Sequence, residues 1–258
     1  MRVALVTGSS RGIGRAVLER LADDHAAVVH YRRDADAAAE VAAGLAARGV
    51  EVLTVAADLE QGDDVEALVD AAADRFGRLD TLVASAAASR FGTVTSAQRH
   101  HVDRTMTTVV GSYVHLVRAV LERDLLGDAG RIVAVSGLDA RFAQAGHGVL
   151  GAAKAALEAL TRSLAVELGP TGTTVNVVVP GAIETDSLDL YFRGDAQARA
   201  AMLAGIPAGR LGRPSDVAAL VAYLASPAAS YLTGQSITID GGAAAEGGAW
   251  STFRTLWS

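Results

Sequence analysis

Short runs rich in Val, Ile, Leu and Ala alternate along the chain with longer stretches whose apolar residues recur at helical spacing. The runs read as strands at Val3–Thr7, Ala27–Tyr31, Val52–Ala56, Thr81–Ala84, Arg131–Val135, Thr174–Val179 and Ser236–Ile239. Most of them are largely apolar rather than alternating, which is the mark of strands buried on both faces. Seven strands with helical crossovers predict an α/β fold, a doubly wound parallel sheet in a single domain spanning 1–258. Ala97 to Leu126 reads as one long helix between the fourth and fifth strands, and a second long helix follows the fifth. From Glu184 to Gly209 the alternation breaks down, and a connection of this length is usually functional. Over the carboxyl ends of the strands it would form a lid. The tail, 243–258, is Gly/Ala-rich and then carries Trp250, Phe253 and Trp257, so it is expected to pack on something.

A chain of 258 residues with 50% hydrophobic and 20% charged residues can bury a large single core. Its net charge of -6, without a Lys/Arg cluster, argues against nucleic acid as a partner, and the absence of Cys removes disulfides, thiolate metal sites and cysteine nucleophiles. The opening MRVALVTG reads as a strand rather than a charged leader, and no apolar run is long enough to span a membrane. A cytoplasmic protein is the expectation. Charge usage is skewed: of 23 basic residues one alone, Lys154, is lysine. A sequence that writes its positive charge as Arg and keeps one ammonium points to chemistry needing a compact, tunable cation there.

The first strand runs into Gly8-Ser9-Ser10-Arg11-Gly12-Ile13-Gly14 and then a helix. Glycines at this spacing permit a tight turn and close approach of backbone to a pyrophosphate, with the helix N-terminus supplying N–H groups and a positive dipole end. The second strand ends His30-Tyr31-Arg32-Arg33, with no acid before Asp34, where an NAD site would place a carboxylate on the ribose 2′-hydroxyl. Arg32 with Arg11 therefore reads as a 2′-phosphate site, hence NADP(H), the bland alternative being two solvated arginines at a strand end.

These motifs, with Asp58-Leu59 after the third strand, Pro180-Gly181-Ala182-Ile183-Glu184-Thr185 after the sixth, and Tyr231-Leu232-Thr233-Gly234-Gln235 leading to Ile239-Asp240-Gly241-Gly242, resemble the short-chain dehydrogenase/reductase family over residues 1 to about 242. The resemblance implies a Rossmann-type fold, Asp58 at the adenine, Ala86 beside the cofactor, Ile183 and Thr185 at the nicotinamide carboxamide, Lys154 on the nicotinamide ribose, and a homotetramer built through the Ala97–Leu126 and Lys154 helices. The family's Ser, Tyr and Asn are missing: the expected Ser aligns with Gly137 beside Ser136, the expected Tyr with Leu150, the Asn with Thr108 or Val109, and Asn-Asn-Ala-Gly is replaced by Ala84-Ser85-Ala86-Ala87.

Ala86-Ala87-Ala88-Ser89, the run from Lys154 to Arg162, and Ala182 to Leu188 resemble a divergent branch, the enoyl-thioester reductases: the third enoyl-acyl-carrier-protein reductase type and the cyclohexenylcarbonyl-CoA reductase of antibiotic pathways. There the Tyr lies seven residues before the Lys, and here that position is His147. Imidazole donates hydrogen bonds and titrates near neutrality, so His147 is a candidate donor despite its shorter reach. Tyr191 in the lid is a reserve donor, and Ser136 a displaced one. His100 and His101, adjacent on a helix, should face apart and make a poor metal pair. The reading is an NADPH-dependent reductase of an enoyl or polyketide-like thioester on CoA or a carrier protein. Two others stay open: a non-redox cyclase, lyase or regulatory protein on the same fold, and an ordinary ketoreductase.

Overall fold

The computed structural model describes residues 1–88 and 90–245. Seven parallel strands form one sheet: β1 (Arg2–Val6), β2 (His25–Tyr31), β3 (Val52–Ala56), β4 (Thr81–Ala84), β5 (Arg131–Val135), β6 (Thr174–Pro180) and β7 (Ser236–Ile239). Their order is β3-β2-β1-β4-β5-β6-β7, so the direction of winding reverses between β1 and β4. Ligands of such sheets bind in the crevice outside the carboxyl ends at that point. Helices cover both faces: α1 (Gly12–Leu21), α2 (Ala35–Ala47) and α9 (Pro214–Ala225) on one, α3 (Gly62–Phe76), α5 (Ser112–Glu122) and α6 (Gly148–Leu168) on the other.

Each face has its own core. Leu68, Leu116 and Leu157 pack on Leu5, Leu82 and Ile132 on one side; Leu18, Val41 and Leu224 pack on Val6, Val83 and Val133 on the other. Each such side chain is worth about 1.5–3 kcal/mol for leaving water. Because adjacent residues of a strand point to opposite faces and both faces are covered, the central strands are largely apolar along their length, and this is why they are legible as runs. The expected β1 ends one residue early: Thr7 leaves the ladder and its hydroxyl accepts the N–H groups of Ser85 and Ala86 at 3.1 Å. That bond ties the turn after β1 to the turn after β4 at the crevice.

The expected Ala97–Leu126 helix is three pieces. An α-helix, α4 (Arg99–Met106), passes through a π-helical turn, Thr107–Gly111, into α5. The stretch from Glu184 to Gly209 carries two short helices, α7 (Asp186–Phe192) and α8 (Ala196–Ala204). The aromatic tail residues Trp250, Phe253 and Trp257 lie outside the described residues. Among the described residues, no helix is long and apolar enough to cross a membrane.

Candidate active site

The three glycines of the first turn answer three different constraints. Gly8 has φ +68°, and a Cβ there would lie 3.2 Å from the Ala86 Cα; Gly12 has φ +57° and lies under Thr185, whose Cγ2 would be 3.6 Å from a Cβ; a Cβ on Gly14 would stand 2.4 Å from the Gly8 carbonyl oxygen. The turns after β1, β4 and β6 thus meet at one place, which gathers Gly8, Ser10, Arg11, Ala86, Ile183 and Thr185. Helix α1 begins at Gly12 with no side-chain cap and no acid in its first turn. Its N–H groups and dipole therefore face the crevice without a competing anion. Ile13 packs on the core beneath, and Pro180 closes β6 with Gly181, where a Cβ would lie 2.9 Å from the Asp240 Cα.

His30 holds this turn from below. Its Nδ1 accepts the Gly8 N–H at 2.8 Å and its Nε2 donates to the Ala57 carbonyl at 3.1 Å, a pair of contacts that requires the neutral ring. Burial pushes its pKa below the ordinary 6.5, so the contact is intact at neutral pH. Below pH 6.5 the unfolded chain takes up a proton that the folded chain refuses, so stability falls as pH drops towards the lowered value. His30→Gln, whose amide can make both bonds without titrating, is expected to remove that part of the acid sensitivity in urea unfolding at pH 7 and 5; equal pH dependence in both proteins would contradict this role.

At the end of β2 the structure corrects the expectation that no carboxylate competes for the arginines. Glu60, 28 residues further on, accepts from Arg32 Nη1 at 2.9 Å and from Arg104 Nε at 2.9 Å, with Asp58 3.9 Å from Arg32. Asp58 is itself anchored, its Oδ1 accepting the Glu60 N–H, while Leu59 is buried. Arg11 and Arg33 make no ion pair among the described residues.

Lys154 lies in the second turn of α6, its Nζ donating to the Val135 carbonyl at the end of β5. Burial pushes its pKa down to about 8, opposed by the charge of Asp139. Ser136 does not share this site. At the end of a strand it faces the opposite way from residue 137, and its hydroxyl donates to Glu158 Oε1 at 3.0 Å, in a buried network that Arg141 completes. Leu150 packs against the apolar core. At the place of the missing Asn, the π turn leaves the Thr108 hydroxyl buried with no hydrogen-bond partner among the described residues.

The site's central residue escapes sequence reading: Asp139, in the one-turn segment Leu138–Ala140 after β5. Its side chain is 6% exposed, and its Oδ2 lies 3.1 Å from His147 Nδ1. The His147 ring, at the N-cap of α6, stacks on Phe91 at 4.8 Å and meets the edge of Tyr191 at 4.8 Å. Tyr191 in turn donates its hydroxyl to the Ala145 carbonyl at 3.1 Å. Lys154, Asp139, His147 and Tyr191 are therefore one cluster. A second correction concerns His100 and His101, whose rings are 3.9 Å apart rather than facing away; at an exposed helix start both side chains can rotate towards each other. Among the described residues, no group of three or more His, Cys, Asp or Glu could hold a metal.

A family profile described as enoyl-(acyl carrier protein) reductase matches residues 8–244. The chain belongs to the short-chain dehydrogenase/reductase family. Within that family it is 37% identical over 243 residues to 1-cyclohexenylcarbonyl-CoA reductase of Streptomyces collinus, covering 93% of this chain and 86% of that protein. It is 37% identical over 241 residues to a 3-oxoacyl-[acyl-carrier-protein] reductase of Vibrio cholerae serotype O1, covering 93% and 96%. A short-chain dehydrogenase from Burkholderia cenocepacia solved in complex with NADP superposes with a TM-score of 0.87 at 37% identity, covering 94% of this chain and 98% of that one.

Proposed function

We propose that this short-chain dehydrogenase/reductase is an NADPH-dependent reductase of conjugated enoyl thioesters. The observation that carries the reading is the placement of His147: it lies seven residues before Lys154, at the donor position of the enoyl-thioester reductases, and contacts a buried carboxylate, while the partly buried Leu150, at the ketoreductase donor position, packs against the core. The similarity to 1-cyclohexenylcarbonyl-CoA reductase supports it.

The residues fit the cofactor. The glycine turn, the uncapped N-terminus of α1, and Arg11 and Arg33, without an ion pair among the described residues, suit a pyrophosphate and a 2′-phosphate, with Arg32 available once it exchanges Glu60 for the ligand. Bound NADPH supplies a hydride. Lys154 holds the nicotinamide ribose hydroxyls, His147 gives a proton to the enolate that forms when the substrate β-carbon is reduced, and α7 and α8 close over the acyl group. The substrate rides on CoA or a carrier protein, and the protein works as a homotetramer, consistent with the exposed Val114 and Leu121 on α5 and Val166 on α6.

NADPH is expected to bind at least ~10-fold more tightly than NADH, since one charge-assisted phosphate contact contributes ~1.5–3 kcal/mol. Glu60→Gln should widen that preference by releasing Arg32. Calorimetry with both cofactors decides it, and equal affinities would refute the phosphate site. The activity itself is tested by a screen of enoyl and 3-oxoacyl thioesters for NADPH consumption: the proposal requires enoyl substrates to be turned over in preference to 3-oxoacyl ones.

A further inference from the structure

We infer that Asp139 is the positioning residue of the proton donor, seated in a space that exists because residue 137 is glycine. The inference rests on the assignment of His147 as donor and goes beyond it by naming what fixes the imidazole. A Cβ built on Gly137 would lie 2.5 Å from Asp139 Oδ1, closer than any real contact. A side chain at position 137 would therefore push the Asp139 carboxylate out of its observed place, so the glycine that stands where the family has Ser leaves room for the carboxylate beside His147. A second glycine completes the seat: a Cβ on Gly151 would lie 2.3 Å from the Asp139 carbonyl oxygen, so the first turn of α6 runs directly over the Asp139 backbone.

The geometry fixes the ring chemically. An ionised carboxylate only accepts, so His147 Nδ1, 3.1 Å from Asp139 Oδ2, carries the hydrogen. The Phe91 stack and the Tyr191 edge, two rings that also touch each other at 5.4 Å, restrain the ring against rotation. Nε2 is left facing the Gln144 amide at 3.4 Å, a weak neighbour able to donate to bare Nε2 or, after rotation, to accept from Nε2–H. Proton exchange is thereby confined to Nε2. In the reduction the β-carbon gains a hydride, the Nε2–H bond of the imidazolium breaks with its electron pair staying on nitrogen, and the proton passes to the enolate. Solvent then reloads Nε2, and Asp139 keeps its hydrogen bond to Nδ1–H throughout.

The test combines spectroscopy with a double-mutant cycle on the full chain. In 15N-histidine-labelled protein, with His147 assigned by difference from His147→Gln, Nδ1 should resonate as protonated and Nε2 as bare at alkaline pH. Asp139→Ala should mix the two tautomers and lower kcat by ~10- to 100-fold, within the range that positioned acids contribute. Gly137→Ala, which displaces the carboxylate from its observed place, should reproduce part of that loss, and adding it to Asp139→Ala should cost nothing more, because residues sharing one site are not additive. An unchanged tautomer in Asp139→Ala, or additive losses in the double variant, would overturn the inference. Tautomer mixing in Asp139→Ala, with a wild-type protein that binds NADPH but reduces no enoyl thioester, would support the role of Asp139 and overturn the reductase reading instead.

Discussion

Lys154→Arg is expected to lower turnover by ~100-fold or more and to weaken NADPH binding at the same time, although it conserves charge. Lys154 is 6% exposed and its ammonium donates to the Val135 carbonyl, with the Asp139 carboxylate as the charge that offsets part of its burial. A guanidinium is larger and planar, carries five N–H donors, and cannot be lodged as a point charge between a carbonyl and two ribose hydroxyls. It would leave donors buried without acceptors, each costing ~1–3 kcal/mol. The lowered pKa of about 8 also allows the lysine, unlike an arginine, to share a proton with its surroundings near neutrality. Steady-state kinetics and cofactor titration of the variant check this; unchanged values in both would make the chain's one lysine irrelevant to the chemistry.

His147→Phe should reduce enoyl reduction by at least ~10-fold with cofactor binding intact, since a positioned acid usually contributes 10²–10⁴. Phenylalanine keeps the stack on Phe91 and the edge contact with Tyr191, so the loss isolates the ring nitrogens from the packing. His147→Tyr rebuilds the enoyl-reductase spacing and should keep or raise activity. Leu150→Tyr rebuilds the ketoreductase spacing, but it must lodge a phenol where Leu150 now packs on the core, so it should gain little. A Phe variant as active as the parent would remove His147 from the reaction and bring Tyr191 forward, though its hydroxyl is engaged with Ala145.

The fold was legible because the inner strands are covered on both faces and so stand out as apolar runs, and four of the seven strands, Val52–Ala56, Thr81–Ala84, Arg131–Val135 and Ser236–Ile239, lie within their expected limits. The π turn at Thr107–Gly111 was not, because one extra residue in a helical turn leaves the apolar spacing on either side nearly intact. The site divides the same way. The glycine turn is a local constraint on backbone and shows at its own positions. Glu60 opposite Arg32 and Asp139 opposite His147 are pairs made by the tertiary fold, 28 and 8 residues apart, and neither spacing follows a strand or helix period. Gly137 offered the one available signal: a glycine where the family has Ser, two residues before an acid, implies that something else fills the space.

The most direct measurement follows the label from NADPH carrying deuterium at the transferable C4 position into an enoyl thioester, read by mass spectrometry and NMR of the product. Hydride delivery to the alkene predicts one deuteron on the β-carbon and a solvent-derived hydrogen on the α-carbon, both lost in parallel in His147→Phe. Deuterium transferred from the same cofactor only to a 3-oxoacyl thioester, on the carbinol carbon of its 3-hydroxyacyl product, would identify a ketoreductase. No transfer to any thioester from demonstrably bound cofactor would contradict the reductase account and leave the Asp139–His147 pair to a reaction without hydride.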